Sequence, residues 1–191
     1  TPPYSVSPLG GILREFGGEA EVRYAEGCGL VGEMEPVPLR DGEAVFFNQG
    51  EINGDPADRW GVEQVDFAWG WASPGGKVAR GEYAVCFSGE IIPPVTGNYR
   101  IALHGQEGGI RLRIGDDWVV DQWVERDSDD FEGNYGTRSG SVELAFEVGV
   151  PVEVEVHYGK RAARSAIRLE WEVPGAHGPM DRAVVLAAEC D

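Results

Sequence analysis

This sequence has few cysteines, few basic residues and no long apolar run, and each shortage removes a class of protein. Its 191 residues hold three cysteines, Cys28, Cys86 and Cys190. An odd count at wide spacing is not a disulfide framework, and no zinc-type spacing is present. Three small buried thiols are the expectation, with a single bridge as the alternative. The 16 lysines and arginines stand against 33 acidic residues, a net charge of −17. Such a surface repels phosphate backbones, so nucleic acid is not an expected partner, and neutral sugars or cationic groups remain. The longest uninterrupted apolar run, Ala183 to Ala188, is far too short to cross a bilayer as a helix, and no membrane partner is expected. Thr1, Pro2 and Pro3 do not open a signal peptide. With no initiator methionine, the chain reads as a mature or excised piece, and its compartment stays open.

What the chain does have is glycine, proline and alternation. Twenty-eight glycines and 12 prolines point to many turns, as all-β folds require. Apolar residues recur every second position in four runs. Ile110, Leu112 and Ile114 form one run, and Val142, Leu144 and Phe146 another. Val152, Val154, Val156 and Tyr158 form the third, and Ile167, Leu169 and Trp171 the fourth. The intervening positions are arginine, glutamate or histidine, with Ala145 the exception. Each run is a strand with one apolar and one polar face, the pattern of antiparallel sheets packed on one side. Arginine on some polar faces and glutamate on others would set register through cross-strand ion pairs. Asn53-Gly54, Gly75-Gly76, Gly108-Gly109, Gly133-Asn134 and Gly149 read as connectors. The expected fold is mainly β, an antiparallel two-sheet sandwich with short α/β flanking segments. Leu9, Ile12, Leu13 and Phe16 give a helix-like stretch near the start, and Ala183 to Glu189 a second near the end.

The centre also carries motifs. Val65 to Gly70 includes Asp66, Phe67, Trp69 and Gly70. Phe87 to Tyr99 runs strand, turn, strand, with Pro93 and Pro94 ending the ladder and Thr96, Gly97 and Asn98 turning it. Ile110 to Ile114 is followed by Val119, Val120, Asp121, Gln122 and Trp123. These motifs, in this order over residues 39–174, resemble the β-sandwich module of anthrax protective antigen, the PA-fourteen domain. Residues 1–30 hold Pro2-Pro3-Tyr4, Ser7 to Ile12 and Val22 to Cys28, and residues 180–191 a terminal helix. Both flanks are similar to pieces of the α/β sandwich domain of glycoside hydrolase family three. The resemblance implies a module inserted in a β-glucosidase-like host, with a stub of that host at each end. One strand and two helical stubs cannot bury a core alone, so Leu9, Ile12, Val22, Val185 and Leu186 are expected to expose apolar surface.

The resemblance also implies roles. In the hydrolase family the nucleophile lies upstream and the acid/base downstream, so no catalytic residue is expected here. Asp116, Asp117, Asp127, Asp129 and Asp130 read as solvated turn acids. Related lectins hold calcium through two adjacent aspartates. That pair falls at Glu107 and Gly108, and a glycine offers no ligand, so no metal and no cofactor is expected. The stretch from Glu125 to Gly140 is long, polar and acidic. Loops of such inserts line outer sugar subsites of the host, which nominates Phe131, Tyr135 and Arg126, with Trp71 and Lys77 of a second turn behind them. The alternative for Phe131 and Tyr135 is that they tuck back onto the sandwich edge. Trp69, Trp118, Trp123 and Trp171 read as core or edge packing. The implied function is an accessory carbohydrate-recognition and pocket-capping module. Its partners would be the rest of the host hydrolase and short β-linked oligosaccharides, with a homodimer of the parent left open. The alternatives are a stand-alone lectin-like module and a structural spacer.

Overall fold

The computed structural model describes residues 34–123 and 136–175. They form eleven strands in two antiparallel sheets. In chain order these are β1 (Glu35–Pro36), β2 (Arg40–Asn48), β3 (Asp58–Gly61), β4 (Asp66–Gly70), β5 (Tyr83–Ile91) and β6 (Gly97–Gln106). They continue with β7 (Gly108–Ile114), β8 (Asp117–Gln122), β9 (Thr137–Phe146), β10 (Val152–Lys160) and β11 (Ser165–Glu172). One sheet runs β3-β2-β5-β10-β7-β8. The other runs β1-β11-β6-β9, and β4 shares with β1 the free edge of β11. The fold is the expected two-sheet sandwich, and the described residues contain no helix.

The alternating runs turn their apolar positions inward. Ile110, Leu112, Val156, Tyr158, Ile167, Leu169 and Trp171 are all buried. A chain of rings joins the two sheets. Phe87 of β5 stacks on Phe67 of β4, with centroids 5.5 Å apart, and Phe67 stacks on Trp69 at 5.2 Å. Trp69 meets Phe46 and Tyr83 edge-on, and Tyr83 meets Tyr158. Ring pairs of these offset and edge geometries add to the area they bury.

The polar faces fix register. Arg113 pairs with Glu155, Arg111 with Asp121, Arg40 with Glu90 and Arg168 with Asp66. Each pair sits directly opposite across neighbouring strands. A slip of one residue would set these charges against the wrong partners and turn the apolar set to water.

Among the described residues the turns match their chemistry, with one exception; the predicted connector Gly133-Asn134 lies outside those residues. β5 ends before Pro93-Pro94, and the Tyr99 hydroxyl donates to the Val95 carbonyl at 2.8 Å and accepts from its N–H at 3.2 Å. That tie closes the turn from within β6. The exception is Gly108-Gly109, which is not a connector. β6 passes into β7 through Glu107 alone, held at a φ of 53°, and both glycines lie within β7. The reason is steric: a β-carbon at Gly108 would overlap the carbonyl oxygen of Gly159 on β10. The long polar stretch is also shorter than expected, because Thr137 to Gly140 belong to β9. The flanks 1–30 and 180–191, with Leu9, Ile12, Val22, Val185, Leu186, Cys28 and Cys190, lie outside the described residues.

Candidate functional site

Of the five sugar-facing candidates, Arg126, Phe131 and Tyr135 lie outside the described residues. Trp71 and Lys77 are described, and both stand on the connection from β4 to β5. Gly70 leaves β4 at positive φ, a left-handed conformation that costs a glycine little. This turns the chain so that Trp71 points outward and is 71% exposed. The segment beyond is braced internally. Ser73 Oγ donates to the Val78 carbonyl at 2.7 Å, and the Val78 N–H reaches the Gly75 carbonyl. The Asn48 side-chain carbonyl of β2 accepts from the Ala79 N–H at 2.8 Å. An exposed indole thus rises from a braced loop.

Trp71, Ala72, Ser73, Gly75, Gly76 and Arg80 border a surface cleft of about 590 Å³. The Arg164 guanidinium, from the β10–β11 connection, lies 5.4 Å from the Trp71 ring centre. Lys77 does not border this cleft. It borders a neighbouring depression with Pro56, Ala57, Asp58 and Arg59. Its backbone N–H, with that of Arg59, donates to the Asp58 carboxylate and holds that group below the usual carboxylate range. Trp71 and Lys77 are therefore neighbours in sequence that serve different hollows.

A second polar-aromatic cluster lies on the outer face of the six-stranded sheet, and no sequence motif pointed to it. Cys86 of β5 stands opposite His157 of β10, and Glu155 is two residues away on the same face. The three ligand-type atoms lie within 4.8 Å of one another. This trio is already internally satisfied. Glu155 bonds His157 Nε2 at 2.5 Å with one oxygen and Arg113 with the other. Those bonds hold Glu155 ionised against the cost of its burial, and burial pushes His157 toward its neutral form. The Arg111 guanidinium, 5.3 Å from the Trp123 ring centre and 5.8 Å from that of Trp118, adds positive charge. The arrangement is an ion-pair network under two indoles rather than a set of ligands open to a cation. Trp69 and Trp171 pack as expected. Trp118 rests its edge on His157 yet remains 43% exposed.

Burial and the nearby Glu155 carboxylate push the Cys86 thiol up to about 12 from 9.0. The folded chain keeps this proton where the unfolded chain loses it. The resulting stability is complete below pH 9 and is lost as the pH climbs toward 12. The stability difference between the wild type and Cys86→Ala should therefore fall by about 1 kcal/mol from pH 8 to pH 10 in urea titrations. A constant difference would mean that the thiol is not shielded.

The lectin-type calcium positions are occupied otherwise. Glu107 turns its carboxylate onto the Arg164 backbone N–H at 2.6 Å. Gly108 has no room for a side chain.

Residues 40–183 match the model of the PA14 domain. The fold is shared with several solved structures. An anti-sigma factor domain-containing protein from Clostridium clariflavum superposes with a TM-score of 0.62 at 22% identity, over 82% of this chain and 48% of that one. A β-glucosidase from Kluyveromyces marxianus superposes with a TM-score of 0.58 at 19% identity, over 89% of this chain and 22% of that one. A structure titled as the PA14 sugar-binding domain from an RTX adhesin gives 0.52 at 12% identity, over 74% of this chain and 92% of that one. The chain thus spans less than half of the anti-sigma protein and under a quarter of the glucosidase. A search of the curated proteins finds no match. At these identities the likenesses show a common sandwich, found in hosts of different kinds. The family match spans most of the chain, and the motifs around Phe67, Pro93-Pro94 and Tyr99 sit in the strands and turns just described: this chain belongs to the PA14 domain family.

Proposed function

We propose that this domain recognises carbohydrate as an accessory module of a family-three, β-glucosidase-like hydrolase, where it shapes outer sugar subsites. The observation that carries the reading is Trp71, an indole 71% exposed on a braced turn beside a cleft. The indole presents a flat apolar surface at the rim of the cleft, with the Arg164 guanidinium beside it, and the apolar face of a pyranose fits an indole face. The flanking sequences support the host, since they resemble its α/β domain on both sides of the sandwich. The β-glucosidase likeness supports it further, because 89% of this chain superposes on part of that enzyme. The catalytic carboxylates would belong to the host. The module would act by selection, through contacts that differ between short and long β-linked oligosaccharides. Phe131, Tyr135 and Arg126 join Trp71 in the same proposal.

The test is binding by the chain itself. Titration with short β-linked glucosides should quench tryptophan fluorescence. Trp71→Ala should weaken binding about five- to tenfold, the scale of one aromatic contact. Unchanged affinity in Trp71→Ala would remove Trp71 from the site, and no binding to any glycoside would reject the carbohydrate reading for this chain.

A further inference from the structure

The cleft beside Trp71 differs in charge from the rest of the molecule. The chain carries a net charge of −17, and most described arginines are spent on carboxylates. Arg40, Arg59, Arg111, Arg113, Arg161 and Arg168 each face an aspartate or glutamate. Arg80 and Arg164, like Arg100 of β6, are different. Both are exposed, and among the described residues neither guanidinium has a carboxylate partner. Arg80 borders the cleft, and Arg164 lies over the Trp71 ring.

The carboxylates of Glu107 and Asp58 accept from backbone N–H groups, that of Arg164 and those of Arg59 and Lys77, rather than from these guanidinium groups. A third cation is tied to the Arg80 backbone. Lys160 is only 2% exposed, and its ammonium reaches the Arg80 carbonyl at 3.5 Å and lies 5.5 Å from the Tyr83 ring centre. Burial lowers the pKa of this ammonium, and the Glu107 carboxylate favours its charged form. The cleft therefore has an indole and one planar five-donor fork on its wall, with a second fork over that indole, on a domain of strongly negative net charge.

Resting on the carbohydrate reading above, we propose that this cleft selects acidic sugars. A uronate ring would lie against Trp71, and its carboxylate would be met by Arg80 and Arg164. A guanidinium matches a carboxylate with two parallel hydrogen bonds, and such charge-assisted pairs are about twice as strong as neutral ones. A neutral hexose has a hydroxymethyl group where the uronate has its carboxylate, and it would leave both forks facing only water. The strongly negative remainder of the surface would oppose the approach of long polyanions. That favours short glycosides with a single terminal acid.

The experiment is a calorimetric comparison on the full chain, using a β-linked glucuronosyl disaccharide and its neutral glucosyl counterpart. The acidic sugar should bind about tenfold more tightly at low salt, with the advantage shrinking as sodium chloride rises. Arg80→Gln with Arg164→Gln should erase the preference, so that the acidic and the neutral sugar bind alike. Trp71→Ala should weaken both ligands. All three positions are exposed, so these variants should keep the wild-type melting temperature. Equal binding of both sugars, or a preference that survives the double glutamine variant, would overturn the acidic selection while leaving the carbohydrate reading intact. Binding of neither sugar would remove both. A sulfated neutral sugar that binds as tightly as the uronate would show that charge alone is read, and would overturn the carboxylate assignment.

Discussion

Gly108→Asp is expected to destabilise the domain by about 3 kcal/mol or more and to confer no calcium response. The substitution restores in outline the adjacent acidic pair, now with Glu107, that related lectins use. In this chain the residue pairs with Lys160 across the β7–β10 ladder, and its missing side chain lets the Gly159 carbonyl approach. Overpacking costs about 1–3 kcal/mol when side chains can give way. Here the obstacle is backbone, and relief requires parting two central strands. Glu107 is also engaged elsewhere, since one oxygen of its carboxylate accepts from the Arg164 N–H. Urea unfolding with and without calcium checks both halves. A midpoint close to wild type would show that β7 can shift, and one that rises with calcium would show that a site had formed.

That glycine marks where sequence reading and structure part. Period-two alternation located the strands well, because burial on one face leaves a direct trace in residue order. Ile110, Leu112 and Ile114 went to the core, and Arg111 and Arg113 to the outer face. Gly108-Gly109 misled because two adjacent glycines usually mark a turn. Their use here is close approach of a neighbouring strand, a demand set by pairing rather than by local conformation. The candidate site was legible only in part. Trp71 stood out as an aromatic residue in a turn rich in glycine and proline. Arg164 could not be joined to it, because the β10–β11 connection meets the β4–β5 connection only after both sheets have formed. Lys77 was grouped with Trp71 by sequence proximity, and its backbone bond to Asp58 draws it to the adjoining hollow. The Cys86–Glu155–His157 network was invisible for the same reason, since its members meet across a strand pairing rather than along one segment.

Phe87→Ala should cost about 3–5 kcal/mol, the range for removing a fully buried phenylalanine. Phe87 is 1% exposed. Its ring stacks on Phe67 across the sheet interface, 5.5 Å between centroids and 15° between planes. Phe67 in turn stacks on Trp69, two residues before Trp71. The loss therefore has two readable parts. Global stability should drop, with an earlier urea midpoint at an unchanged slope if the unfolded state is unaffected. The support under β4 should also weaken, since Phe67 loses its stacking partner. Phe87→Leu separates the two. It refills most of the volume without restoring the ring stack, so it should recover most of the stability and less of any ligand affinity held at Trp71. If Phe87→Ala unfolds at the wild-type midpoint, the ring chain is not what joins the sheets. If Phe87→Leu recovers affinity in step with stability, the braced turn around Ser73 and Asn48 positions Trp71 without help from the core.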